Sequence, residues 1–261
     1  MKIKISVITV SLNVGSTIGK TIQSVLNQTY PNYEIIVKDG LSSDDTLQNI
    51  PESEKILVVS AKDTGIYNAM NEAVKYASGD YLLFLNAGDV LYSNNVFEEM
   101  VQEIDAYPSD VFYGDYVRKG IIIHQPSCLK KFTIFRNALN HQSMFFLGSI
   151  FKDGEWYDES YKILADYELT VRLFCNGKRF RHVPLIIDEY EGNGFSESTD
   201  GLKKNKEEME IIRKNYFPKE YFFYKLLISM TLVRLRQWIV KDTTPTFITA
   251  LYRHLSNVIN R

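Results

Sequence analysis

A chain of 261 residues with 45% hydrophobic and 13% aromatic side chains can bury a full core and fits one large domain, or a domain with an appendage. Its net charge of -2 excludes a general nucleic-acid binder, which needs a marked basic excess to neutralise phosphates. That charge is uneven. Residues 202–261 carry 12 Lys and Arg against 5 Asp and Glu (+7), and the preceding 201 residues carry 18 against 27 (-9). The acidic part suits metal binding; the basic tail suits an anionic surface or a solvated helical face.

Cys128 and Cys175 are the two cysteines, with no CxxC and no His spacing for a zinc site, so a reduced, cytoplasmic setting is expected. Met1 to Ile8 lead straight into a strand, so no secretory signal is expected, and no run reaches the ~18 apolar residues of a membrane span.

Residues 4–10 read as a buried first strand, ending in the polar loop Ser11-Leu12-Asn13 and Gly15-Ser16-Thr17. An amphipathic helix follows, with Ile18, Ile22, Val25 and Leu26 on one side and Pro31 closing the unit. The second strand, 33–37, runs into a loop over 38–46 whose Asp and Ser side chains cap a helix expected near Asp44. Asp39 is left over from that capping, at the strand end, where its carboxylate can accept a hydrogen bond from the imide N–H of a uracil ring. A third strand at 55–60, a loop at 61–65 and a helix at 66–77 lead to a fourth strand, 81–85. That strand ends abruptly in Asn86-Ala87-Gly88-Asp89. It delivers Asp89 to the C-terminal sheet edge, where open α/β sheets bind ligands and a metal-bound diphosphate can be held.

The βαβαβαβ order predicts a parallel sheet with right-handed crossovers, a nucleotide-binding α/β domain. Absence of GxGxxG and GxxxxGK[ST] argues against a dinucleotide dehydrogenase and a P-loop phosphotransferase; absence of GxSxG and HExxH removes two hydrolase classes. Farther on, strands at 111–117 and 121–124 are joined by a Lys119-Gly120 turn, and an apolar strand at 143–147 follows His141 and Gln142. Asp166 opens a helix over 167–175. Residues 189–200, rich in Gly, Ser and acid, read as a mobile loop, and helices are expected over 202–216, 221–240 and 247–259. The second of these mixes Tyr221, Phe222, Phe223 and Leu226 with Lys225, Arg234 and Arg236. This pattern fits a helix at a bilayer surface, a helix packed on its own domain, or a homodimer contact.

Four stretches read together, Ser6-Val-Ile-Thr-Val-Ser-Leu-Asn13, Val37-Lys-Asp-Gly-Leu-Ser-Ser-Asp-Asp-Thr46, Asp63-Thr-Gly-Ile-Tyr-Asn-Ala-Met-Asn71 and Phe84-Leu-Asn-Ala-Gly-Asp89, give the chain its resemblance to the family-2 glycosyltransferases of the GT-A fold. It is most similar to the branch that builds bacterial surface polysaccharides. Further matches are Asn140-His-Gln142, Ala165-Asp-Tyr-Glu-Leu-Thr-Val-Arg172 and Tyr190-Glu-Gly-Asn-Gly-Phe-Ser196.

The resemblance implies an α/β fold with a mostly parallel central sheet flanked by helices. It implies a catalytic domain over 1–200, with 1–104 binding the nucleotide-sugar and 105–200 the acceptor, and a helical extension over 201–261. The implied activity is inverting transfer of a sugar from a nucleotide diphosphate donor, a UDP-sugar above others, to a saccharide or lipid-linked saccharide, assisted by Mn²⁺ or Mg²⁺. Carried over, Asp39 recognises the base, Asp63 shapes the nucleoside site, and Ser11, Asn13, Asn71, Asn86 and Asp89 complete the donor set. Asp89 is the metal-side carboxylate and Asp166 the catalytic base. Asn86 and Gly88 depart from the family pattern, which often has acids there, and so remove charge that would hold a cation. Glu168 is the alternative base; His141, Gln142 and Ser196 are candidate substrate contacts. Two rivals stand beside this reading. A sugar-nucleotide nucleotidyltransferase needs a glycine- and basic-rich loop after strand one, where the chain offers Gly15, Gly19 and Lys20. A non-catalytic saccharide-binding module is supported by the missing acids alone. A cytoplasmic location, peripheral on the inner face of the cell membrane, is one reading of the basic tail; a solvated helical face is the other.

Overall fold

The computed structural model describes residues 2–190 and 199–230. Ser196, most of the 189–200 loop and the helices expected beyond Met230 lie outside them. Nine strands of the described residues form one sheet in the order β3-β2-β1-β4-β8-β6-β9-β5, with β7 pairing the end of β6 beyond β8. The first four, β1 (Ile5–Ser11), β2 (Tyr33–Asp39), β3 (Ile56–Ser60) and β4 (Tyr81–Phe84), are mutually parallel, as the chain order predicts. The sheet changes hand at β8 (Met144–Leu147), which runs antiparallel both to β4 and to β6 (Val111–Arg118). Strand β9 (Phe180–Tyr190) returns parallel to β6, and β5 (Val90–Leu91) and β7 (Ile121–Ile123) pair antiparallel with β9 and β6.

Alternation along the strands builds a layer on each face, because successive side chains point to opposite sides. Ile5, Val7, Ile35, Val37, Leu83 and Phe145 join one cluster with Ile18, Ile22 and Val25 of α1 (Gly15–Leu26) and Phe97 and Met100 of α3 (Val96–Ala106). Ile8, Val10, Ile36, Leu82, Phe84 and Phe146 join the other, with Met70 and Ala73 of α2 (Ile66–Val74), Ile150 and Phe151 of α5 (Ser149–Lys152) and Leu169 of α6 (Ala165–Cys175). A third cluster sits outside this sandwich. In it Phe135 of α4 (Lys131–Arg136) and Tyr167 of α6 pack against Ile212 of α7 (Thr199–Tyr216), Phe217 and Tyr221, which opens α8 (Tyr221–Met230). The start of the C-terminal extension therefore packs on its own chain.

Two local expectations change. No α-helix follows β2; the segment holds a single 3-10 turn, Leu47–Asn49. Its capping groups are turned elsewhere, since Asp44 and Thr46 accept the N–H groups of Gly15 (3.1 Å) and Val14 (2.8 Å) and so cap α1 from outside. At the other end, Glu189 and Tyr190 belong to β9 rather than to a loop, because Glu189 is in register with both Val90 and Val117. Among the described residues no helix is long and apolar enough to cross a membrane.

Candidate functional site

The C-terminal ends of β1, β2 and β4 and the N-terminal end of β8 share one sheet edge. Ser11 and Asp39 are the last residues of β1 and β2 and are in register. Asp39 is fully buried, and four donors converge on its carboxylate: the hydroxyls of Ser11 (3.2 Å), Ser42 (2.5 Å) and Ser60 (3.0 Å) and the Ser42 amide (2.9 Å). Burial alone would raise its pKa, but the serine hydrogen bonds outweigh it and hold Asp39 below the usual carboxylate range. Asn13, at φ 54°, ties the first loop to the second by accepting the Ser43 amide (2.9 Å) and by giving its own N–H to Ser42 (2.9 Å). Asp63 lies beneath this loop, accepting the Gly65 amide (3.1 Å) with the buried Lys38 ammonium 3.6 Å away. A Cβ on Gly40 would come within 2.6 Å of the Asp63 carboxylate, so the turn after Asp39 admits only glycine without displacing Asp63.

A second group gathers where β4 meets the 3-10 turn His141–Ser143. Gln142 donates to Asp89 Oδ2 (2.9 Å), Asn86 Nδ2 lies 3.3 Å from His141 Nε2, and His141 Nδ1 lies 3.0 Å from Asp166 Oδ2. Adjacent residues of one turn thus join the end of β4 to the N-terminus of α6, which brings Asn86, Asp89, His141, Gln142 and Asp166 together. Asp166 Oδ1 is approached by the Tyr67 hydroxyl (3.2 Å) and the Tyr167 amide (2.8 Å). A carboxylate has about four lone-pair sites, so these contacts and His141 leave one, on Oδ2, for a further partner. Burial pulls the His141 pKa down, but Asp166, Asp89 and Asp188 outweigh it and raise it above its ordinary value.

Asp188, absent from the expected set, is fully buried in β9; Ser143 Oγ donates to it, and so does Asn140 Nδ2, at 3.3 Å. Burial, with the Asp89 charge adding to it, pushes Asp188 up to about 7. The one signal in the sequence is an acid inside the otherwise apolar run Leu185-Ile-Ile-Asp188.

Two expected residues are elsewhere. Asn71 faces away from the nucleoside loop and pairs with the Tyr157 backbone, its Nδ2 giving to Tyr157 O (2.9 Å) and its Oδ1 accepting Tyr157 N (3.0 Å). Glu168 is buried against Arg172, whose Nε is 3.0 Å from its carboxylate, and accepts the Tyr216 hydroxyl, so it holds α6 to α7. At 2% exposure, with its carboxylate turned onto Arg172 and Tyr216, it is out of reach of an acceptor.

Among the described residues, no three His, Cys, Asp or Glu side chains form a ready-made cation cage. In phosphate-transfer sites Mg²⁺ and Mn²⁺ are held by one or two protein oxygens plus substrate phosphates. Asp89 would offer one such oxygen. Asn86 Oδ1, buried and without a hydrogen-bond partner, is a second oxygen of the right chemistry.

The family model for glycosyl transferase family 2 matches residues 6–147. A PGL/p-HBAD biosynthesis glycosyltransferase of Mycobacterium tuberculosis is 28% identical over 241 residues, 89% of this chain and 90% of the relative. The Escherichia coli UDP-Glc:alpha-D-GlcNAc-diphosphoundecaprenol beta-1,3-glucosyltransferase WfgD is 35% identical over 131 residues, 49% of this chain and 50% of that protein. Among solved structures, S. aureus TarS 1-349 in complex with UDP-GlcNAc superposes with a TM-score of 0.65 at 20% identity, covering 82% of this chain and 67% of that one. With the family model spanning more than half of its length, this chain belongs to glycosyl transferase family 2 and is a glycosyltransferase of the GT-A fold.

Proposed function

We propose that the enzyme is an inverting transferase that takes a sugar from a UDP-sugar and passes it to a saccharide hydroxyl on a lipid-linked acceptor, by single displacement with Asp166 as base. The observation that carries this reading is the contact chain from Asp89 through Gln142 and His141 to Asp166, which puts a phosphate-side carboxylate and a base within one cluster. The acceptor hydroxyl gives its proton to the open lone pair of Asp166 Oδ2, and its oxygen forms the new bond to the anomeric carbon. The bond from that carbon to the β-phosphate oxygen breaks on the opposite face, and the electron pair leaves with the diphosphate. His141 fixes the carboxylate by its hydrogen bond. Asp89 with Asn86 would hold Mn²⁺ or Mg²⁺, which supplies charge stabilisation for the departing diphosphate.

Base recognition falls to Asp39 at the end of β2. Its lone pairs are filled by serine donors, so a uracil imide N–H would take the place of one hydroxyl, which keeps the carboxylate ionised and oriented before the donor arrives. UDP as the nucleotide is supported by that geometry and by the donors named for WfgD and TarS.

The deciding experiment incubates the protein with a panel of nucleotide-sugars, Mn²⁺ or Mg²⁺ and saccharide or synthetic diphospholipid acceptors, and measures released nucleoside diphosphate. Asp166→Asn is expected to lower turnover at least ~1,000-fold while UDP affinity stays within twofold; retained turnover would move the base elsewhere. Membrane attachment belongs to the same reading. Helix α8 turns Phe222 (82% exposed), Phe223 and Leu226 outward beside the basic tail, and WfgD is named for an undecaprenol-linked acceptor. The full chain should sediment with phosphatidylglycerol vesicles at low salt and the Phe222→Ser/Phe223→Ser pair should not; equal recovery would rule the helix out.

A further inference from the structure

Asp166, in the first turn of α6, is reached through a segment with almost no regular structure of its own. Between α5 and α6 the chain runs from Asp153 to Leu164 in turns and bends, and the carboxylate follows at once. What holds this segment comes from outside it, and much of it comes from one face of α2. Tyr67, Asn68 and Asn71 occupy positions i, i+1 and i+4 of that helix, which places them on neighbouring parts of its surface.

Each of the three makes a defined contact. The Tyr67 hydroxyl lies 2.6 Å from the Ile163 carbonyl and 3.2 Å from Asp166 Oδ1. Its ring stacks on Tyr157 at 5.5 Å. Asn71 makes the two-point pairing with the Tyr157 backbone already described and also donates to Glu159 Oε1 (2.9 Å). Asn68 donates to both Glu159 oxygens (3.2 Å each) and accepts the Thr64 amide (3.1 Å) at the start of its own helix. Tyr67 and Asn71 are each only 7% exposed. Burial, reinforced by the Asp166 charge, raises the Tyr67 pKa well above its ordinary value, so this hydroxyl stays a donor.

The N-terminal end of the same helix is the Asp63-Thr64-Gly65 loop, pinned under Gly40 and Lys38. One short rigid element therefore spans from the nucleoside loop to the base. A nucleotide contact is not what its polar side chains are arranged for, since their donors and acceptors are engaged on the 157–166 segment.

We propose that Tyr67, Asn68 and Asn71 form a positioning brace for Asp166, which holds the base-bearing segment in register with the donor site and assigns Asn71 to the base rather than to the nucleotide. The inference rests on Asp166 being the base. Tyr67 acts through Asp166 and Ile163, and Asn68 and Asn71 act through Tyr157 and Glu159. A displacement of the base by about an ångström is enough to slow a displacement reaction without weakening donor binding.

The test uses the full chain and two readouts, of which the second needs no substrate. Tyr67→Phe keeps the ring stacked on Tyr157 and removes the hydroxyl. Its kcat, with whichever donor and acceptor turn over in the panel above, is expected to fall about tenfold with donor KM within twofold. Amide hydrogen exchange over residues 157–166 is expected to speed up while exchange in β1 and β2 stays as in the parent. Asn68→Asp, which sets a carboxylate against Glu159, should lower kcat about fivefold; adding Glu159→Gln should restore it to within twofold of the parent. Unchanged kcat and exchange in Tyr67→Phe, or a tenfold weakening of UDP binding in Asn71→Ala with no change in exchange over 157–166, would overturn the brace. Failure of the underlying reading looks different: Asp166→Asn would then keep its turnover, whatever the Tyr67 variant does.

Discussion

Asp39 and Asp188 are the same side chain, both fully buried in strands of one sheet, and they are shifted in opposite directions. In the donor half, Asp39 meets three hydroxyls and an amide, enough to overcome burial and keep it ionised. In the other half, Asp188 has Ser143 and Asn140 as donors and the Asp89 charge against it, and burial wins. Neither side chain is exposed, yet burial weighs more heavily on Asp188, where two donors do not offset it and the Asp89 charge adds to it, than on Asp39, where four donors overcome it. Asp39 has its donors in place in the free protein, whereas around Asp188 burial and the Asp89 charge favour the protonated acid.

The largest effect that would break this contrast is at Asp188. Its folded pKa, about 7, stands above the unfolded value of roughly 3.9, so ionising it disfavours the folded state. Stability should therefore be highest near pH 4, fall as pH rises toward 7, and level off above that. Thermal melts in EDTA read this directly, and Asp188→Asn should flatten the slope, leaving the variant about 3 kcal/mol more favoured relative to its parent at pH 8 than at pH 4.5. A parent melt that does not decline over this range would sink the assignment.

Asp39 carries the opposite sign and a smaller effect. With its folded pKa depressed, its contribution is present above the unfolded pKa and lost as pH falls through the folded value. Asp39→Asn should cost about 1–2 kcal/mol at pH 7, measured by urea unfolding, and the difference should shrink in acid. Smallest of all, Ser60→Ala removes one of four donors and should cost about 0.5–1 kcal/mol at pH 7. If Ser60→Ala costs as much as Asp39→Asn, the donors act as a single unit and not as a sum.

The first half of the fold was legible because its signals are local. Apolar runs bounded by Gly, Pro and polar loops, β-branched in β1 to β3 and aromatic and leucine-rich in β4, mark the first four strands, and the i, i+4, i+7 spacing of Ile18, Ile22 and Val25 marks α1. The helix expected at Asp44 failed for a non-local reason: Asp44 and Thr46 spend their acceptors on the N–H groups of Gly15 and Val14, some thirty residues back. In the candidate site, Asp89, His141, Gln142 and Asp166 were legible as polar residues at element ends, and the structure brings them together. Asn71 and Glu168 were misplaced because helix membership does not reveal which neighbour a polar face meets. Asp188 was missed because its meaning depends on strand register: β6 sets it opposite Tyr116, and β5 sets it opposite Leu91, near Asp89, about a hundred positions earlier in the chain.

One contact from the packing of α7 bears on how the molecule can be cut. Glu208, 3% exposed, accepts the backbone N–H groups of Lys162 (2.8 Å), Ile163 (3.0 Å) and Leu164 (2.9 Å), the three residues just upstream of the helix that begins at Ala165. A protein shortened at Asp200 would strip those amides of their acceptor directly upstream of Asp166. A truncation that spares this contact has to keep α7 whole, through Tyr216.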